Sequence, residues 1–373
     1  MSSAQDTPIM SAVAETRTPE VAPKTPLRWR PALEAVVIPS GAVVAALVMF
    51  GIFCAFQGRD AFKVYAAIFK AAFGSWYSFQ NTLVRTAPLM LTALCTALPA
   101  RLGMMVIGNE GALVVGGVVA TAAGLAVQSA SMPVVIAVML MAGMAGGGLW
   151  ITLVGLLYYK RGVNETISSL LMNYIAIALM NHLVNGPMRD PSSLNKPSSF
   201  PIPDEKMLPN IGNTNVHYGL IFGIIVCLIA WVLMEHTTFG FKARMIGGNI
   251  RAARMAGLPV ARIGLITCFL GGAAAGIAGM VEVAAVQGRA NESLAAGYGY
   301  AGILVSFVAR HRGLPIILVA TLLGGILASG GILQREFTLP DATILLLQGF
   351  IFISILYSES LYGRIKFFKE PGA

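Results

Sequence analysis

Of the 373 residues, 56% are apolar and only 12% charged, and the mean hydropathy is +0.73. A soluble domain, with about a quarter of its residues charged, is excluded, and the chain is expected to be an all-α integral membrane protein. The net charge of +9 lies in short segments between apolar runs rather than along one face, so nucleic acid is not an expected partner.

Residues 1–32 are rich in Ser, Ala, Thr and Pro and hold no apolar run, which predicts a disordered cytoplasmic tail rather than a cleaved signal peptide. A transmembrane domain is expected over 33–358, followed by a cytoplasmic C-terminal tail over 359–373. Within that domain the apolar runs are 34–56, 82–100, 103–127, 133–158, 164–184, 218–234, 263–286, 298–309, 314–330 and 342–357. Most approach the roughly 20 residues that a spanning helix needs. About ten transmembrane helices are predicted, with the third broken near its start and the eighth short.

With both termini inside, 17 Lys and Arg fall on the cytoplasmic side and eight outside, the bias that membrane insertion imposes. The four cysteines stand singly within apolar runs, which indicates neither disulfides nor a metal site.

Between the first two spans, Phe62, Tyr65, Ala66, Phe69 and Phe73 recur at helical spacing with Lys63 and Lys70 opposite. A helix lying in the interface or capping the bundle is expected there. The third span is interrupted by Gly108, Asn109, Glu110 and Gly111, polar groups at a depth where each costs a few kcal/mol unless it meets a partner or a wet cavity. Two readings stand for Glu110: it caps its own helix or neutralises Arg85, or it lines a pathway. In the fifth span Asn164 is a candidate helix cap, and Asn173 lies at mid-membrane, where an amide bonds a neighbouring helix or meets solute. Gly143 and Gly147, and later Gly272 and Gly276, form small-residue faces that let helices approach closely, within one bundle or across a dimer.

The outer loop 185–216 carries six prolines and balanced charge, as an ordered lid, a docking platform or a plain linker would. The loop 236–262 is different. It holds Lys242, Arg244, Arg251, Arg254 and Arg262 with no acid. Asn249 can cap a helix there, Gly257 can end it, and Pro259 prevents its resumption. The two turns left are too short to persist in water without a partner surface. Ile250, Ala253 and Gly257 share one face, and Arg251 with Arg254 forms a cationic rim on another.

Further on, Glu282 stands near the outer end of the seventh span, and Gln287 and Asn291 follow it. Gly297, Gly299 and Gly302 match GxGxxG, but no strand precedes them, so a dinucleotide site is dismissed. No GK dipeptide, GxSxG or HExxH occurs, and no catalytic residue or cofactor is expected. A pore subunit driven by other proteins follows.

Three motifs carry a resemblance. FGFKARMIGGNIRAARMAGL over 239–258, IGNEGALVVGG over 107–117 and GVNETISSLLMNYIA over 162–176 resemble permease subunits of ATP-binding-cassette importers in the branched-chain amino acid, ribose and nucleoside superfamily. The likeness spans about 82–357 and is greatest to the larger permease of the nucleoside and simple-sugar branch. It implies a bacterial inner-membrane complex with a second permease (usually a heterodimer), an ATPase, and a periplasmic or lipid-anchored binding protein that delivers the solute. It also implies that Gly248, Asn249, Ile250, Arg251, Ala253, Arg254, Gly257 and Leu258 form a coupling helix gripped by the ATPase. Transporter sites form where two spans are broken at corresponding places. On that ground Asn109, Glu110, Asn173, Glu282, Gln287 and Asn291 are expected to line or gate the route. The competing class is a proton-coupled secondary transporter, in which Glu110 and Glu282 carry protons.

Overall fold

A computed structural model describes residues 29–193, 196–340 and 342–359. The two expected tails lie outside these residues except at their inner ends, where helix is already formed. Among the described residues the chain is helical: α1 (Trp29–Phe56), α2 (Ala61–Phe73), α3 (Trp76–Ala100), α4 (Asn109–Ala126), α5 (Met132–Arg161), α6 (Glu165–Asn185) and α7 (Gly219–His236). There follow α8 (Thr238–Gly248), α9 (Ile250–Met255), α10 (Val260–Val281), α11 (Tyr298–Val308), α12 (Gly313–Ala328), α13 (Gly330–Phe337) and α14 (Thr343–Glu359). β-Pairing among them is confined to isolated bridges.

Taking α12 with α13, and α10 on to Gln287, seven described segments are long and apolar enough to cross a membrane, or eight if α1 and α2, bent by 116°, count as one span. The expected ten is not reached on length. With 11 residues, α11 extends only about 16 Å, about half a hydrocarbon layer. In α14 the described residues number 17, just short of a span.

The centre is built from α3, α4 and α10, which are buried along most of their length, while only a third or less of α5, α6 and α7 is buried. Gly143 and Gly147 of α5 meet Gly272 and Gly276 of α10, so the small-residue faces pack within this chain. A Cβ on Gly276 would lie 2.0 Å from the Gly143 carbonyl oxygen. Without side chains at the crossing, the two backbones touch. The four cysteines are buried and free.

Between the first spans, α2 forms as expected, capped by Asp60, whose carboxylate accepts from the amides of Phe62 and Lys63. Its buried face is nevertheless Val64, Ala67, Ile68, Ala71 and Ala72, whereas Phe62 and Phe69 are exposed. The aromatic spacing gave the helix, and the small residues Ala and Val are the ones that pack against α1 and α12. The 185–216 loop folds back over the far end of α10. The amides of Ser199, Ile202 and Leu208 donate to the carbonyls of Ala290, Gly288 and Ala284, which holds the segment in place.

A candidate functional site at a clasped helix break

After α3 the chain does not enter α4 directly. Residues 104–107 cross the interior without helix, so their backbone groups need partners from elsewhere. Side chains of α3 and α6 supply them. The Met105 amide donates to Glu165 Oε1 (3.3 Å) and the Ile107 amide to Ser169 Oγ (3.0 Å). The Val106 carbonyl accepts from Thr96 Oγ1 (2.8 Å), and that of Ile107 from Asn173 Nδ2 (2.9 Å).

Helix α4 then begins at Asn109. Its first turn is held on every side. Asn109 Nδ2 donates to the Thr92 carbonyl (2.9 Å) and to Thr96 Oγ1 (3.0 Å), and Asn173 Oδ1 accepts from the Gly111 amide (2.8 Å). Glu110 reaches across to α11, where its two carboxylate oxygens accept from the amides of Gly297 (2.7 Å) and Gly299 (2.6 Å). An anion at these unsatisfied amides also complements the positive end of the α11 dipole. Neither expected partner of Glu110 is the one observed: it caps neither its own helix nor Arg85, but a helix 187 residues away. Gly299 makes this possible, since a Cβ there would lie 2.2 Å from the Glu110 amide nitrogen.

Beside the clasp lies a cavity of about 480 Å³, lined by Asn81, Arg85, Glu282, Gln287, Ser293 and Tyr298 among others. Tyr298 is the first residue of α11, and its hydroxyl accepts from Arg85 Nη1 at 3.5 Å. Glu282 is buried, at the start of a π-helical turn, Glu282–Gln287, that continues α10. Such wide turns turn side chains inward that an α-helix would point elsewhere. The cavity therefore offers one cation, one acid and several neutral donors and acceptors. Among the described residues no group of three His, Cys, Asp or Glu converges as a metal would require.

The six expected pathway residues thus divide. Glu282 and Gln287 line the cavity. Asn109, Glu110 and Asn173 are fully buried and hydrogen-bonded into the clasp. Asn291 sits in the connection between α10 and α11, where its side chain accepts from the Ser293 amide (2.8 Å). Sequence reasoning passed over Asn81 and Tyr298 and treated Arg85 only as a neutraliser. Their signal was present: Asn81 and Arg85 are four apart, hence on one face of α3.

At the other end of α3, the 236–262 loop is a helical hairpin of α8 and α9. As expected, Asn249 caps α9 by accepting from the amides of Arg251 and Ala252, both at 3.0 Å, and Gly257, at φ +77°, terminates it. The inward face is Ala253, with Ile250 and Leu258 packed beside it against this chain's own core. The exposed surface of α9 therefore includes Arg251, Arg254 and Met255, with Met255 84% exposed, while Ala253 of the expected apolar face is buried within this chain. Gly257 itself is exposed, and Gly248 has open space around its α-carbon.

The hairpin is tied to the bundle by ions. Glu235 pairs with Arg101 Nη2 (2.6 Å) and Arg244 Nη1 (3.1 Å). Arg101 Nε also donates to the carbonyl of His311 (3.0 Å), in the turn between α11 and α12. Burial there, with Arg101 nearby, pushes the His311 imidazole down to about 4. In the outer loop, the backbone and hydroxyl donors of Ser192 hold the Asp190 carboxyl below its ordinary range.

Residues 78–356 match the family described as branched-chain amino acid transport system / permease component. Among relatives, the glucose ABC transporter permease protein TsgB13 of Haloferax volcanii is 30% identical over 347 residues, covering 90% of each chain. The guanosine ABC transporter permease protein NupP of Bacillus subtilis is 26% identical, over 91% of this chain and 99% of its own. The nucleoside ABC transporter permease protein NupB of Lactococcus lactis subsp. cremoris is 26% identical, over 79% and 83% respectively.

Proposed function

The chain belongs to the family of branched-chain amino acid transport system permease components, a transport-pathway component and not an enzyme, and from that premise we propose that it forms the translocation pathway of an ATP-binding-cassette importer for a nucleoside or simple sugar. The supporting observation is the capped helix α9, which presents Arg251, Arg254 and Met255 away from the bundle while its other face is anchored by Ala253. A two-turn helix kept folded by a cap on one side and core packing on the other is a rigid handle for a partner protein. In this reading an ATPase grips that handle on the cytoplasmic side of a bacterial inner membrane. A second permease chain, more consistent with a heterodimer, completes the pore, and a periplasmic or lipid-anchored binding protein delivers the solute. Hydroxyls and ring edges of such a solute match the amides and charges of the Asn81, Arg85, Glu282 and Gln287 cavity. Names of the relatives, a glucose, a guanosine and a nucleoside permease, support the solute class.

The test is co-purification and uptake. Arg251→Glu with Met255→Asp is expected to release the ATPase and abolish ATP-driven uptake while the bundle stays folded, since neither side chain is part of the core. ATPase binding that survives the double substitution refutes the docking role. Uptake by the chain alone, driven by a pH gradient, assigns it instead to secondary transport.

A further inference from the structure

One stretch, from Arg101 to Glu110, holds α11 at both ends with charges of opposite sign. At the N-terminus the Glu110 carboxylate accepts from the amides of Gly297 and Gly299. Beyond the C-terminus the Arg101 guanidinium holds the His311 carbonyl. An anion at the first end and a cation at the last both complement the helix dipole. Arg310 and His311 turn the chain there at φ 51° and 55°, a left-handed pair of non-glycine residues that persists only under restraint from its surroundings. Ser306 Oγ, 2.8 Å from His311 Nδ1, adds to that restraint.

The same Arg101 pairs with Glu235, which also binds Arg244 on α8. The hairpin touches this point through its backbone too: a Cβ on Gly247 would lie 2.3 Å from the Arg101 carbonyl oxygen. At its opposite end α11 places Tyr298 in the polar cavity, against Arg85. Arg85, within the first half of α3, and Arg101, just past its C-terminus, are about 24 Å apart along its axis.

We propose that α11 is a rod that carries displacement of the α8–α9 hairpin to the polar cavity, with Arg101 and Glu110 as the positioning residues that clamp its two ends. The proposal rests on the importer reading, in which a partner ATPase moves the hairpin. It assigns Arg101 a task that local packing alone does not require: joining the hairpin to α11, so that α11 follows when the hairpin shifts. Coupling between sites needs such an element that both of them bias.

The experiment uses the assembled complex with its ATPase and spin labels on introduced cysteines, the native cysteines being buried. One label pair, Lys242→Cys with Lys160→Cys, reports the hairpin. The other, Tyr300→Cys with Leu171→Cys, reports α11. All four positions are exposed. Addition of ATP is expected to shift both distances in the otherwise unaltered complex. With Arg101→Ala the hairpin shift is retained and the α11 shift falls to less than half. Arg101→Lys, which keeps a cation in place, restores most of it. An undiminished α11 shift with Arg101→Ala overturns the rod, as does an α11 that stays still while the unaltered hairpin moves. Failure of the ATPase to bind the unaltered chain refutes instead the importer reading beneath it, and the rod falls with it.

Discussion

Asn173 commits both ends of its amide to the break before α4, accepting from the Gly111 amide and donating to the Ile107 carbonyl. Asn173→Ala strips two buried backbone groups at once, and each such group costs about 1–3 kcal/mol when left unpaired. A clear fall in thermal stability of the purified protein in detergent is expected, and unchanged melting would show that the break holds without it. Sequence placed this asparagine at mid-membrane but left open whether it met solute or a neighbouring helix. Its partners are backbone atoms more than 60 residues away, which no local pattern encodes. His217 makes a different prediction. Its ring is buried with neither nitrogen hydrogen-bonded, and burial pushes its pKa down to about 4 from an ordinary 6.5. As pH falls below 6.5 the unfolded chain takes up a proton that the folded chain refuses until about 4. Stability is therefore lost across that window. The melting temperature is expected to fall less between these values in His217→Leu than in the unaltered chain.

Helices α5 and α10 touch through glycines, and that contact fixes the crossing on which the clasp is built. Gly276→Leu drives a side chain into the Gly143 carbonyl, which cannot retreat without moving α5. Loss of folded protein by size-exclusion chromatography is the expected outcome, because overpacked crossings displace whole helices. At this scale α9 was the most legible element, whereas the helix before it, α8, had not been read. The cap Asn249, the stop Gly257 and the following Pro259 are local signals, and the structure places a helix between them at Ile250–Met255. The unread part was its facing, since Ala253 points inward only because the core beneath happens to receive it. The same limit appeared in α2, where the helix was foreseen and its buried face was not.

For the whole molecule the expectation is dependence on others: the isolated chain in liposomes should move neither guanosine nor glucose, and the assembled complex should accumulate one of the tested solutes only with ATP. Competition across a panel of nucleosides, pentoses and amino acids then reads the cavity directly, and Glu282→Gln is expected to lower uptake without loss of ATPase binding. Composition, hydropathy and cap residues determined membrane residence, most spans, and the short capped helix of the basic loop, because burial in lipid and helix termination are imposed residue by residue along the chain. Only the tertiary structure decided that Glu110 caps α11, that the glycine faces close within one chain, and that Arg85 and Glu282 share a cavity. Those pairings join segments up to 200 residues apart, and hydrophobic periodicity specifies which residues leave water without specifying which distant surface they meet.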